Sequence, residues 1–266
     1  DYIQSAANDS DDQITLAEGG TQDRYTINGV INAGSTMGRV LEDMTNACNG
    51  TLYKSGSEWN LKVGVFDASV KSLTLDDLRS SINLPTKASR GQNFNEVVGR
   101  FVDASQDWVE ADYPAVTSDA FLAEDNGVAS TADLPLYMVT DATRAQRVSR
   151  QTLYRSREQL SFNAEWSMAA IEVSVGDIVD LTIENYGWDA KTFEVIAWKL
   201  LVGADGVKIA MSLRETSAAA FGWTAEDART IVSNNTTLPD YTFVPTVGLT
   251  IGAELRLVNE QVVGAL

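Results

Sequence analysis

Three neighbouring stretches decide the fold: IEVSVGDIVDLTI at 171–183, KTFEVIAWKLLV at 191–202 and VKIAMSLRE at 207–215. Apolar and polar residues alternate along them, which is the period of a strand with one buried face. The first stretch is interrupted at Gly176-Asp177, and the turn at Gly203–Gly206 joins the other two as a hairpin. Short strands at this spacing predict a small β-barrel or sandwich within residues 161–215.

The first third of the chain combines a strand, a helix and a hairpin. RYTINGVIN at 24–32 alternates and predicts a strand. TLYK and EWNLKVGV flank Ser55-Gly56-Ser57 and predict a hairpin. A helix is predicted at 36–49, capped by Ser35 or Thr36, because its apolar residues recur at helical spacing and form one stripe expected to face the core: Met37, Val40, Leu41, Met44, Ala47 and Cys48. We therefore expect an α+β domain over residues 1–90.

A second amphipathic helix, predicted at 141–158, carries both an apolar and a cationic stripe. Its five arginines are Arg144, Arg147, Arg150, Arg155 and Arg157. The cationic stripe has three interpretations: a solvated face paired with the chain's own carboxylates, an interface between acidic subunits, or a contact with DNA. Arginine suits bidentate contacts to carboxylates across an interface. On the interface hypothesis, Arg144, Arg147 and Arg155 contribute to a contact between subunits or between rings.

The segment NFNEVVGRFVD at 93–103 predicts a strand in which Gly99 marks a bulge or a close approach of two backbones. Together with the Arg-rich helix and the strands of 161–215, it predicts a second, barrel-like domain over residues 91–235. Residues 236–266 are expected to hold a linker and the start of a further β module. The fold class predicted for the whole chain is α+β and rich in strands, with two amphipathic helices.

Composition excludes several classes of function. The net charge is −17, from 20 Lys and Arg against 37 Asp and Glu, which argues against a surface for nucleic acids or anionic membranes. The charge fits solubility, or docking onto a basic partner. The chain has no histidine and one cysteine, Cys48, which removes Ser-His-Asp and Cys-His catalysis and the usual zinc ligands. No apolar run approaches the ~20 residues of a membrane span.

Candidate sites built from carboxylates are weak. Asp9, Asp11 and Asp12 suggest a calcium loop, but an EF-hand needs Gly at its sixth and Glu at its twelfth place, and these hold Ile14 and Gly20. Neighbouring acids could serve glycoside hydrolysis but usually point in different directions and are solvated: Asp76/Asp77, Glu124/Asp125 and Glu226/Asp227. We expect no enzyme activity, no catalytic or metal-binding residue and no cofactor.

Several segments, taken in order, resemble the tip attachment protein J family of long-tailed bacteriophages. The likeness covers roughly residues 5–225, and the triplet Thr36-Met37-Gly38 departs from the family in lacking a proline often found there. The segments that carry the resemblance are RYTINGVIN at 24–32, LEDMTNACNGTLYKSGSEWNLKVG at 41–64, LTLDDLRSSI at 73–82, NFNEVVGRFVD at 93–103, WVEADYP at 108–114, the Arg-rich helix, VGDIVDLTIENYGWDAKTFEVIAW at 175–198 and VKIAMSLRETSAAAFGW at 207–223.

The resemblance implies a structural role in the virion, at the phage tail tip, after assembly in the bacterial host cytoplasm. Its hub domains would be similar to those of phage baseplate hubs and form a ring, usually a trimer, that closes the tail tube. Implied partners are the distal tail protein ring, the end of the tape-measure protein, other tail-tip proteins, and a host receptor reached through downstream domains. The segment after 241 is similar to the first strand of a fibronectin type III module, which, with Asp1 in place of Met, suggests an excerpt of a longer chain.

A carbohydrate-binding adhesin module is the alternative hypothesis. Tail tips touch cell surfaces, and aromatic rings such as those of tryptophan combine a large apolar face with a polar group that can meet a sugar. Such a module would show an exposed aromatic platform, for which the candidates are Trp59, Trp108, Trp188 and Trp223.

Overall fold

A computed structural model describes residues 2–55, 57–84, 93–203 and 206–229, and the backbone of two further strands near the end of the chain. Residues 1–231 form one compact unit and residues 232–266 a second. The helices are α1 Tyr2–Asp11, α2 Met37–Ala47, α3 Asp119–Glu124, α4 Ala142–Arg155 and α5 Ala218–Phe221. Short 3-10 turns lie at Leu75–Asp77, Ala104–Gln106, Met168–Glu172, Glu184–Tyr186 and Ala225–Asp227.

The strands form one large sheet and several small ones. They are β1 Gln13–Thr15, β2 Thr21–Asp23, β3 Thr51–Ser55, β4 Glu58–Lys62, β5 Lys71–Thr74, β6 Glu96–Val98, β7 Arg100–Asp103, β8 Val109–Asp112, β9 Val116–Thr117, β10 Thr131–Asp133, β11 Ser161–Trp166, β12 Ile178–Ile183, β13 Trp188–Gly203, β14 Gly206–Glu215, β15 Glu254–Val258 and β16 Gln261–Ala265. The large sheet has the order β11-β14-β13-β12-β5, and the small pairs are β1-β2, β3-β4, β7-β8 and β15-β16, besides the three-stranded β10-β6-β9.

The large sheet confirms the α+β class and the strands predicted within 161–215. Its strands are antiparallel except that β5 runs parallel to β12, with Leu73 beside Leu181. Alternate residues of β12 and β14 are buried, as their sequence period predicts, and pack around fully buried Trp166 and Phe193. Burial of one face by alternation is therefore what builds this core.

The predicted barrel is not closed among the described residues. The sheet curls until its two edge regions meet at one isolated bridge between Leu78 and Trp166. The main-chain N–H of Arg79 donates to the carbonyl oxygen of Glu165 at 2.7 Å, and that of Ser167 donates to Asp77 at 2.7 Å. These bonds join the turn after β5 to the end of β11, so the sheet is a curled, nearly closed layer held by a few contacts.

Described residues from both 1–90 and 91–235 contribute to one sheet and to one core cluster. β5 belongs to the same sheet as β11–β14, because its parallel pairing with β12 fills the edge of that sheet. The second core mixes both segments as well, joining Tyr25 and Ala47 to Phe101 and Ala145. The linker predicted from 236 lies largely outside the described residues, and the fibronectin-like module stays a prediction.

The strand predicted at 24–32 is wrong, whereas the helix and hairpin that follow are confirmed. Residues 24–32 form an irregular segment held by few backbone bonds, such as the one from Asn28 N–H to the Met138 oxygen at 2.9 Å. Tyr25 is buried, but no strand lies alongside to complete a ladder among the described residues. In α2, Thr36 is the N-cap and its hydroxyl accepts from the Arg39 N–H.

Asp103 makes stability depend on pH. The Ser105 hydroxyl donates to its carboxylate at 2.6 Å, the Ser105 N–H donates at 2.8 Å, and the Gln106 amide donates at 2.9 Å. These bonds, led by the Ser105 hydroxyl, lower the pKa of Asp103. A lowered carboxyl pKa stabilises the fold above the unfolded value of about 3.9, and the gain is lost as the pH falls through the native pKa.

We therefore predict that Ser105→Ala lowers the urea midpoint at pH 7 and that its difference from the parent chain shrinks below about pH 4. Ser69→Ala is the control, because the Ser69 hydroxyl bonds to the neutral carbonyl oxygen of Lys71. Its effect should not change with pH. An Ser105→Ala difference that is equal at both pH values would contradict the assignment.

Candidate assembly surfaces

The Arg-rich helix α4 is buried on nearly every side. Asp141 caps it by accepting from the Arg144 N–H at 2.8 Å. Its apolar stripe packs in the second core, as predicted, but its polar stripe is covered too. Gln151 shows how this is tolerated: its amide donates to the hydroxyl of Tyr25 at 2.8 Å, inside the protein. The buried residues on both stripes are Ala142, Arg144, Ala145, Gln146, Arg147, Val148, Ser149, Gln151 and Leu153.

Arg144 and Arg147 hold the main chain that precedes Tyr25. The Arg144 guanidinium donates to the carbonyl oxygen of Asp23 at 3.2 Å, and Arg147 donates to that of Arg24. Burial lowers the pKa of Arg147 to about 10. These two arginines therefore fix a distant segment onto α4 through carbonyl oxygens, which no charge pattern reveals.

The remaining arginines of α4 and its C-terminal extension pair with carboxylates of the same chain. Arg155 contacts Glu194 at 2.7 Å, and both side chains are largely buried. Arg157 binds both oxygens of Asp125, at 2.6 and 3.0 Å. Internal pairing, one of the three interpretations of this stripe, is thus present. The intersubunit role of Arg144, Arg147 and Arg155 stays a prediction, because the structure holds a single copy.

A groove of about 460 Å³ opens beside the end of α4 and is lined by Arg155, Glu158 and Arg214, among others. The Ser217 hydroxyl donates to Glu158 at 2.6 Å, and burial raises the pKa of this carboxyl. Glycoside hydrolysis needs two carboxyl groups across a cleft, and Glu158 is the one carboxylate lining this groove among the described residues. The groove therefore lacks the pair of acids that this chemistry uses.

At least one acid of each carboxylate pair considered in the sequence has a structural partner. Asp77 accepts from the N–H and hydroxyl of Thr74, and Asp227 does the same with Thr224, so both complete capping boxes. Asp125 binds Arg157. Within the described part of the chain, no group of three or more carboxylate or cysteine side chains is placed to hold a metal ion.

The four tryptophans proposed as sugar-binding candidates do not form one aromatic platform. Trp188 is buried in the first core against Phe162, at a centroid distance of 5.6 Å. Trp223 is partly covered, 5.9 Å from the Arg147 guanidinium. Trp59 and Trp108 are 58% and 63% exposed, on the separate hairpins β3-β4 and β7-β8. Of the four candidate tryptophans, these two are exposed enough to offer a ring face to a sugar.

Several apolar side chains just before α2 and in its first turns face solvent. Val30 is 96% exposed and Met37 is 73% exposed. Single exposed apolar side chains are common on protein surfaces, but a larger group of them marks an interaction site. The stripe of α2 was predicted to face the core, and only its C-terminal end, Ala47 and Cys48, is buried. We call the exposed residues the apolar strap: Ile27, Val30, Ile31, Met37 and Leu41.

Comparison with known protein families gives a match. The family model described as "Putative phage tail protein" matches residues 37–198, which is more than half of the chain. The chain therefore belongs to this family of phage tail proteins. Membership favours a structural role in the tail of a virion over a catalytic one. A search of curated proteins gives no significant match.

Several solved structures are similar to this chain. A chain in the virion of a native gene transfer agent particle is similar with a TM-score of 0.55 at 17% identity, over 83% of this chain and 47% of that one. The chain thus spans less than half of that protein, and the likeness concerns the fold. A tail protein from Neisseria meningitidis MC58 gives 0.49 at 15% identity, over 78% and 63%. The 43 kDa prophage MuSo2 tail protein from Shewanella oneidensis gives 0.46 at 15%, over 78% and 59%.

The sequence analysis missed one feature of these surfaces. Alternation at 24–32 predicted a strand, yet the segment is irregular and Ile27 and Ile31 on it are exposed. The Gly29 and Asn32-Ala33-Gly34-Ser35 positions were the available signal, because turn-forming residues disfavour a regular strand. No helix in the described ranges is long and apolar enough to cross a membrane.

Proposed function

We propose that this chain is part of the central hub ring of a phage tail tip. In this role it closes the tail tube and links it to receptor-binding parts for host attachment and DNA delivery. The observation that supports the proposal best is the apolar strap, in which Val30 and Met37 are exposed to solvent when one copy of the chain stands alone. An assembled ring would cover such a surface. Membership of the phage tail protein family supports a structural role.

Burial of the strap side chains would release enough free energy to stabilise a contact between subunits. Burying an exposed Val, Ile, Leu or Met side chain contributes about 1.5–3 kcal/mol each. The five strap residues therefore offer enough free energy to hold a subunit contact, once the cost of association is met. A ring of identical copies needs heterologous contacts, in which two different surfaces of one chain meet. The proposed partners are further copies of the chain as a trimer, the distal tail ring, the tape-measure end and other tail-tip proteins.

The location can be tested on intact particles. Antibodies raised against the purified chain, visualised by immunogold electron microscopy, should label one end of the tail, distal to the head. Particles lacking the gene, complemented with an epitope-tagged copy, provide the control for antibody specificity. Label along the tail tube or on the head would contradict a tip position.

The strap itself predicts an assembly defect. Val30→Asp combined with Met37→Asp places two charges on a surface that must be desolvated, while the compact unit should still fold because both side chains are exposed. We expect infectious titre to fall on the order of a hundredfold, since hot-spot residues contribute about 2 kcal/mol or more each. Val70→Asp, at a 50% exposed valine elsewhere, is the matched control and should leave the titre unchanged. Equal titres for both variants would rule out the strap as an assembly surface.

A further inference from the structure

The distal half of β13 presents an open sheet edge. β12 pairs with β13 only as far as Glu194, with a bulge between Val195 and Ala197. From Ile196 to Gly203, β13 pairs with β14 on one side and has no strand on the other among the described residues. We call Ile196–Gly203 the β13 edge. Exposed strand edges are ready templates for another strand, and proteins usually shorten or block them.

The β13 edge is apolar as well as open. Ile196, Leu200 and Val202 are 48%, 43% and 76% exposed, and Val207 opposite them on β14 is 41% exposed. Native edges are commonly protected by charges and prolines, and this one carries a single charge, Lys199. A long, apolar and unpaired edge is expected in a chain whose partner adds the missing strand.

A basic groove runs along this edge. It has a volume of about 470 Å³ and is lined by Lys54, Ile171, Val173, Ser174, Val175, Trp198, Lys199 and Leu200. Lys54 and Lys199 share a property that no other cation among the described side chains has. Neither makes a hydrogen bond or an ion pair there, whereas every other described Lys and Arg does. In a chain of net charge −17, two cations without a described partner in one groove indicate an acidic occupant.

The same chain carries a strand edge of complementary character. β8, residues Val109–Asp112, pairs with β7 alone among the described strands. Its Trp108 and Val109 are 63% and 60% exposed, and Asp107 and Glu110 have no ion-pair partner in the described part. We call Asp107–Asp112 the β8 edge. It offers two carboxylates without an ion-pair partner in the described part and two exposed apolar side chains, on β8 and the two residues that precede it.

We propose that the β8 edge of one copy adds to the β13 edge of the next. Lys54 and Lys199 would face Asp107 and Glu110, and the Trp108 ring would enter the groove beside Trp198. Because the two edges lie on different parts of the chain, the contact is heterologous and propagates around a ring. The inference rests on the proposed hub function and names the surface through which copies meet.

Charge reversal tests the pairing in the full-length protein by mass photometry at low and physiological salt. Lys199→Glu alone and Glu110→Lys alone each place like charges across the contact and should weaken self-association on the order of tenfold or more. The double variant Lys199→Glu/Glu110→Lys restores opposite charges and should assemble like the parent. Glu184→Lys, at an exposed acid outside both edges, is the control and should assemble normally. Circular dichroism melts should coincide for all variants.

The outcomes separate this inference from the hub function. Rings that survive both single reversals, or a double variant no better than the singles, overturn the pairing of the two edges but leave a hub built on other surfaces. A parent protein that stays a monomer at every concentration contradicts the ring itself and the inference with it. Recovery in the double variant alone supports both.

Discussion

Replacing Gly99 by alanine is expected to cost about 4 kcal/mol of unfolding free energy, at the upper end of what single substitutions do. A Cβ at Gly99 would lie 2.1 Å from the carbonyl oxygen of Leu134 and 2.6 Å from its carbonyl carbon. These are main-chain atoms, so no side-chain rotation relieves the clash. They are held in place because the Leu134 N–H donates to Val98 at 2.7 Å and the Tyr113 hydroxyl donates to the Leu134 oxygen at 2.9 Å.

Urea denaturation followed by tryptophan fluorescence measures this effect. Gly38→Ala is the matched control, because nothing lies within 4 Å of a Cβ at Gly38 in the first turn of α2. Alanine there should be neutral or stabilise by up to about 1 kcal/mol, since it favours the helix. If Gly99→Ala and Gly38→Ala unfold at the same urea concentration, the close approach between the two backbone segments is wrong.

Removing the charge of Arg157 is the second large effect, with an expected loss of about 3–5 kcal/mol. Arg157 and Asp125 are joined by two bonds, and their side chains are only 14% and 21% exposed. The hydrogen bond to Asp125 raises the pKa of Arg157. Arg157→Met would leave the largely covered Asp125 carboxylate without its cation. The hydrogen bond that the Asn95 amide donates to Asp125 at 2.8 Å would remain.

A matched pair on the surface separates burial from charge in thermal unfolding measurements. Arg100 and Asp112 lie 3.5 Å apart with side chains 64% and 84% exposed. Arg100→Met should change stability by less than about 1 kcal/mol, as exposed ion pairs do. Arg157→Met/Asp125→Asn should recover part of the loss, because no uncompensated charge remains. Equal costs for the Arg157 and Arg100 variants would refute the importance of the buried pair.

Much of the fold follows from local sequence. Alternation along 178–183 and 207–215 predicts strands because a half-buried strand has a period of two residues. Thr36 and Asp141 mark the starts of α2 and α4, since their side chains accept from the first free N–H groups. Gly99 within a predicted strand indicated a bulge or a close approach of two backbones, and the structure shows the close approach, to the main chain of Leu134. Each of these signals is complete within a few residues.

Long-range geometry is what the sequence could not supply. The parallel pairing of β5 with β12 joins residues about a hundred positions apart in the chain, which local sequence patterns do not reveal. The targets of Arg144 and Arg147 are carbonyl oxygens near residues 23 and 24, which every residue possesses and no pattern singles out. Helix α1 escaped notice because its sequence is largely polar.

The candidate surfaces show a related limit. An apolar stripe on a helix predicts that its side chains are covered, but it does not show whether the same chain or a partner covers them. Met37 and Leu41 were therefore assigned to this chain's own core. The structure leaves both exposed, beside Val30. Likewise, Lys54 and Lys199 become notable only once the partners of every other described cation are known. Sequence patterns locate apolar surfaces, and the three-dimensional structure shows which of them stay exposed and so available to a partner.

The measurement that tests this account most directly is a cryo-electron microscopy reconstruction of the tail end of the particle that carries the protein. We expect copies of the chain in a closed ring at the end of the tail tube, with Val30 and Met37 covered by neighbouring protein. A reconstruction in which the chain is absent from the tail end, or present with these side chains facing solvent, would contradict it.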